Sequence, residues 1–173
     1  MSAEQLGLAL VELLVRTVGS HEQKDAERIL ELKEKYPLID HQRVYNEFQY
    51  LRALSVHYGI ISALQSPLRE AVMSTYSKWL HQAGQDMAQK GEVAGTIMYE
   101  NFRSRLPVYD QAIREVTDNK SMLLKVGKVF AMYCGFENDL LIISYGYLEL
   151  VMVQKMVKEY LDSLAQTYSF TNA

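Results

Sequence analysis

Cysteine is nearly absent: the 173 residues hold one, Cys134. A single thiol closes no intramolecular disulfide, so the fold has to rest on a packed core and nothing calls for an oxidising compartment. Proline (3) and glycine (9) are scarce as well. So few breakers favour long helices and argue against a many-turned β sandwich. Positive charge is not in excess. The formal net charge is −3, whereas non-specific binding to nucleic acid needs a basic footprint. No run of about 18 uninterrupted apolar residues occurs. The apolar stretch from Leu6 to Val15 is preceded by Glu4 rather than by Lys or Arg, Glu12 interrupts it, and no small-residue cleavage site follows. These absences together predict a cytoplasmic protein without a membrane span.

Apolar residues make up 49% of the chain and charged residues 23%. That is enough apolar surface for a real core, and it excludes a disordered chain. Charge is acidic at both ends and weakly basic in the middle, an ordinary soluble surface. With no repeat and no Ser/Gly/Pro linker, residues 1–173 read as one all-α domain. The expected architecture is a single bundle of six or seven mostly antiparallel helices, because the connections are short.

The first helix is expected from Ala3 to Val18, ending at Gly19. Leu6, Leu10, Leu13 and Leu14 mark one face, and Leu8, Val11 and Val15 cover most of the other. A helix apolar nearly all round is either central or covered by another chain. The second starts at Ser20, with Gln23 completing a capping box, and Pro37 ends it. The third spans Asp40 to Leu64, with Gly59 weakening its last turns. The fourth has Ser66 as N-cap and Pro67 at the first helical position. Its stripe is Val72, Tyr76, Trp79, Ala83 and Met87, which places Trp79 largely in the core, and Gly91 closes it. The fifth runs from Glu92 to Val116 through Met98, Phe102, Tyr109 and Ile113, kinked or split at Pro107. Ser121 or Asn119 caps a sixth, Met122 to Cys134, which ends at Gly135. The last, Asn138 to Tyr168, has two apolar faces, and Gly146 within it suggests a close helix crossing.

Chemistry-bearing patterns are thin. Of the four histidines, none follows a Glu at the spacing of a di-iron bundle, and His21-Glu22 lacks the second His of H-E-x-x-H. His21 and Asp25 stand i,i+4 and read as a solvated helix start. Glu27, Glu31 and Glu34 share a face with lysines and arginines and read as charged surface. No metal site, cofactor or nucleotide loop is expected. Cys134, with no C-x-x-C partner, reads as a buried structural thiol.

Arg52-Ala53-Leu54-Ser55-Val56-His57 fits an Arg-x4-His pattern. It resembles the motif of HEPN-type ribonucleases, which are small helical dimers. The resemblance implies an Arg that binds the scissile phosphate and a His that acts on the 2′-hydroxyl proton. It covers two residues, and Ala53 stands where that family usually has a polar residue. Five positions on a regular helix differ by about 140°, which points the two side chains apart. The structural expectation is therefore an Arg on the surface and a His partly buried.

Twelve Tyr against five Phe, together with eight Met, suit surfaces that meet partners or pockets for an irregular apolar ligand. The favoured function is a non-enzymatic protein acting through protein–protein contacts, as a homo-oligomer or a subunit of a larger assembly. Its interface candidates are Leu6, Leu10, Leu13, Leu14, Tyr145, Leu148, Met152 and Met156. One alternative is a helical sensor that takes a lipophilic molecule or tetrapyrrole in a pocket of Tyr76, Trp79, Phe102, Tyr109, Phe130 and Tyr133. Another is a HEPN-like ribonuclease using Arg52 and His57.

Overall fold

In the computed structural model of the chain, which describes residues 1–89, 94–116 and 118–170, the first helix begins at Ser2. The Ser2 hydroxyl accepts from the Gln5 amide N–H at 3.2 Å, and the Gln5 side chain accepts from the Ser2 amide N–H at 2.9 Å. This is the reciprocal capping box expected further along, at Ser20 and Gln23. The helix it opens, α1, is continuous over Ala3–Lys35. The expected break at Gly19 does not occur. Gly19 has open space around it, and the Ser20 hydroxyl donates back to the Thr17 carbonyl at 3.0 Å instead of capping a new helix. A mid-helix glycine costs about 1 kcal/mol. Packing on both sides outweighs that: Leu6, Leu10 and Leu14 are buried before it, and Asp25, Arg28 and Leu32 after it.

Among the described residues five further helices follow: α2 (His41–Ala63), α3 (Leu68–Gln89), α4 (Ala94–Arg114), α5 (Asn119–Cys134) and α6 (Leu140–Thr167). No strand occurs among the described residues, and the all-α bundle read from the sequence stands. Asp40 caps α2 as expected, accepting from the Arg43 N–H at 3.0 Å. Helix α3 starts one residue after Pro67, which follows a cis Ser66–Pro67 bond. Pro67 therefore precedes the first helical residue rather than occupying it. Pro107 lies inside α4 and does not split it in two. Asp118, not Ser121 or Asn119, caps α5 by accepting from the Ser121 N–H at 2.9 Å. Gly135 closes that helix in the left-handed conformation, φ 89°. The Gly91 stop, the Glu92 start and the Met87 and Met98 side chains lie outside the described residues.

Helix α2, not the first helix, is the central one. Every residue from Glu47 to Ile60 is buried, five polar side chains among them. Around it, α1 and α6 run antiparallel. Thr17 meets Met156, His21 meets Met152, Arg28 meets Glu149 and Glu31 meets Tyr145, one number rising as the other falls. Glycines set the closest approaches to α6. A Cβ on Gly59 would lie 2.6 Å from Val157, and one on Gly146 would lie 2.7 Å from Phe130 of α5. Gly59 is thus a contact point between helices rather than a weak end. Helix α6 is long and apolar enough, by length and composition, to cross a membrane. Here it packs on α2 and α5, with ion-paired Glu149 in its middle.

Candidate functional site

The residues with most chemical capacity cluster where α1, α2 and α6 meet. Arg52 is at 0% exposure, in place of the surface position expected for it. Its Nε donates to Glu149 Oε1 at 2.6 Å, Nη1 to Asp25 Oδ2 at 2.6 Å, and Nη2 to Asp25 Oδ1 at 2.7 Å. Gln49 accepts a further bond from Nη1 at 3.3 Å. The other Glu149 oxygen accepts from Arg28 Nη1 at 2.6 Å. The Arg28 guanidinium lies over the Phe48 and Tyr145 rings, 5.2 and 5.3 Å from their centres. Two arginines and two carboxylates thus form a charge-balanced quartet inside the core. Burial works against the Arg52 charge, but Asp25 and Glu149 outweigh it and hold its pKa above the ordinary value. Burial likewise pushes Glu149 upward, but Arg52 and Arg28 pull it below the usual carboxylate range.

His57 takes no part in this cluster. It is buried, its ring meets the Tyr58 ring edge-on at 5.5 Å, and its Nδ1 has no hydrogen-bond partner. Burial lowers its pKa, with Asp110 acting in the other direction. Tyr58 donates to Asp110 at 2.9 Å. An Arg-x4-His ribonuclease would need a guanidinium able to reach phosphate. Asp25, Glu149 and Gln49 occupy the one here, with no solvent access. Sequence reasoning missed the quartet because its hydrogen-bonded pairs are 27, 97 and 121 positions apart. The available signal was an Arg set between Tyr50-Leu51 and Ala53-Leu54 on a helix.

A second ion pair, with Glu47 buried and Arg105 partly so, ties α2 to α4. Arg105 Nε donates to Glu47 at 2.8 and 2.9 Å. Its guanidinium sits between the Tyr50 and Tyr133 rings, 4.5 and 4.6 Å from their centres. Arg43 adds a bond to the Tyr133 carbonyl. Cys134 is buried beside this cluster, and burial pushes its thiol pKa far up, so it is not a poised nucleophile.

The six pocket candidates are mostly core. Tyr76, Phe102, Tyr109 and Phe130 are buried, while Trp79 and Tyr133 are only partly so. Tyr76 donates to the Ala53 carbonyl at 3.1 Å, and Tyr109 stacks on Tyr133 with ring centres 6.2 Å apart. Trp79, expected largely in the core, lies at its edge with Lys78 over its ring. The grooves described lie elsewhere. One, of about 500 Å³, runs between α1 and α2 and is lined by Ala26, Ile29, Leu30, Lys33, His41 and Tyr45, with Glu22 at its edge.

The interface candidates also divide. Leu6, Leu10, Leu14 and Tyr145 are buried within the chain and cannot face a partner. The chain itself covers them: Gly7 lets α3 press against α1 at Thr75, and Tyr145 donates to Glu31. Leu13 and Met152 are partly buried against the core, Met156 is partly buried, and of the eight Leu148 alone is exposed. His21 and Asp25, read as a solvated start, sit in mid-helix, and Asp25 belongs to the quartet. No group of three or more His, Cys, Asp or Glu arranged for a metal occurs among the described residues. No family model, curated protein or solved structure matches the chain.

Proposed function

We propose that the chain is a non-enzymatic cytoplasmic protein that works by contact with another protein, as a homo-oligomer or as a subunit of a larger assembly. The most reactive-looking side chains support this, being spent on the fold: Arg28 and Arg52 neutralise Asp25 and Glu149, and Arg105 and Glu47 do the same. The carrying observation lies at the end of the bundle where α1 finishes and α6 begins. That end is fixed tightly. Tyr36 donates to Asp139, Lys35 pairs with Asp139 at 3.6 Å, and the Tyr36 and Phe136 rings meet at 4.8 Å. Yet Leu38, two residues after Tyr36, and Leu140, next to Asp139, are 100% and 78% exposed. Large apolar side chains held out on a rigid frame suit burial against a partner.

The test is light scattering at high micromolar concentration, with native mass spectrometry beside it. The expected result is a species heavier than the 19.9 kDa chain that falls to monomer in Leu38→Asp/Leu140→Asp, with the melting temperature unchanged. A wild-type monomer in both measurements removes the homo-oligomer. An oligomer untouched by the double substitution moves the contact elsewhere.

A further inference from the structure

On the seam between α1 and α6, His21 faces Met152, and Met156 meets Thr17 one turn away. Its Nδ1 lies 2.8 Å from the Thr17 carbonyl oxygen. A carbonyl cannot donate, so the proton of the neutral ring is on Nδ1, and Nε2 is left as a bare lone pair. The Ser20 hydroxyl, 3.2 Å from Nδ1, gives its own proton to the same carbonyl. Nε2 lies 3.4 Å from Met152 Sδ. A thioether has no proton to offer, so two electron donors confront each other. One turn along α6, Met156 Sδ lies 3.8 Å from the Thr17 hydroxyl, whose proton goes to the Leu13 carbonyl at 2.7 Å. Lys24 is the remaining neighbour, its amine 3.7 Å from Met152 Sδ on an exposed side chain.

We propose that His21, Met152 and Met156 form a binding site for a soft monovalent cation of the copper(I) class. A cation about 2.0 Å from an imidazole nitrogen and about 2.3 Å from a sulfur separates the two donors by about 3.4–3.7 Å at ligand angles of about 105–120°. The observed separation falls in that range. Thioether sulfur selects soft ions, and with no carboxylate among the three donors the site neutralises no second charge. The Thr17 carbonyl on Nδ1–H is the outer contact that fixes the tautomer of a ligating histidine. Lys24 opposes the cation and has to swing into solvent when it binds. The pattern escapes a sequence reading because its donors lie 131 positions apart and methionine is ordinarily core filler.

Silver(I) is the probe, being soft, monovalent and redox-inert. It is titrated into the wild type and into Cys134→Ala, which lacks the one thiol, and followed by native mass spectrometry and methionine-methyl NMR. One silver ion per chain is expected in Cys134→Ala, with shifts at the Met152 and Met156 methyls in both proteins. Met152→Leu, Met156→Leu and His21→Gln should each weaken binding tenfold or more with circular dichroism unchanged, and Lys24→Gln should tighten it. Copper(I), kept reduced by ascorbate without oxygen, should displace the silver. The assignment is overturned if silver does not bind, if the shifts fall on other methionines, if the substitutions leave affinity unchanged, or if equimolar zinc(II) displaces the silver.

Discussion

A guanidinium without solvent access needs partners for its N–H groups, and Arg52 makes four hydrogen bonds through its three nitrogens, to Asp25, Glu149 and Gln49. Such a cluster is costly to desolvate, and its value shows when one member is removed and a charge is left unpaired. Arg52→Met should therefore lower stability by about 3–5 kcal/mol, read as a reduced urea midpoint. The acid response should come in two windows. His57 has a folded pKa below 6.5, so the unfolded chain binds more protons, and stability falls as pH drops below about 6.5. Glu149 has a folded pKa below 4.5, so its contribution is full above that value and is lost as pH falls through the folded pKa. Melting temperature measured from pH 7.5 to 3 should show both declines, and His57→Phe should remove the first while leaving the second.

At the scale of the helix, glycines of one kind do opposite things. Gly127 packs against the Ile143 backbone, where a methyl group has no flexible neighbour to displace. Gly127→Ala should cost about 1–3 kcal/mol. Gly19 faces open space in mid-helix, so Gly19→Ala should stabilise by about 0.5–1 kcal/mol. Urea titration of the two variants checks both signs. Gly19 also marks where sequence reading stops working. Read locally, Gly19-Ser20 is a stop followed by a cap, and nothing nearby says that α1 is held on both sides by α3 and α6. Asp40, Pro37 and Gly135 were legible because a cap or a stop is decided within a few residues. The central place of α2 was not, because Glu47, Gln49, Arg52, Ser55 and His57 interrupt its apolar arc, and two of them, Glu47 and Arg52, find their partners only in the folded chain. The close crossing at Gly146 was legible, since a glycine in a long apolar helix has few other uses.

Across the whole molecule the bundle is organised around α2, and its amide hydrogens should report that. Residues 47–60 should exchange with solvent most slowly, and the α1 turn around Gly19 faster than the turns that flank it, as hydrogen exchange read by mass spectrometry will show. The quartet imposes an order on a chain made from its first residue onward. Asp25, Arg28 and Arg52 emerge before Glu149, and without it they carry one positive charge too many for a dry interior. A nascent α1–α2 hairpin therefore has reason to stay hydrated and open until α6 arrives, with Glu149 97 positions after Arg52. Ribosome-bound chains halted before residue 149 should be cut readily by protease around Arg28 and Arg52, and chains halted after α6 has cleared the exit tunnel should resist.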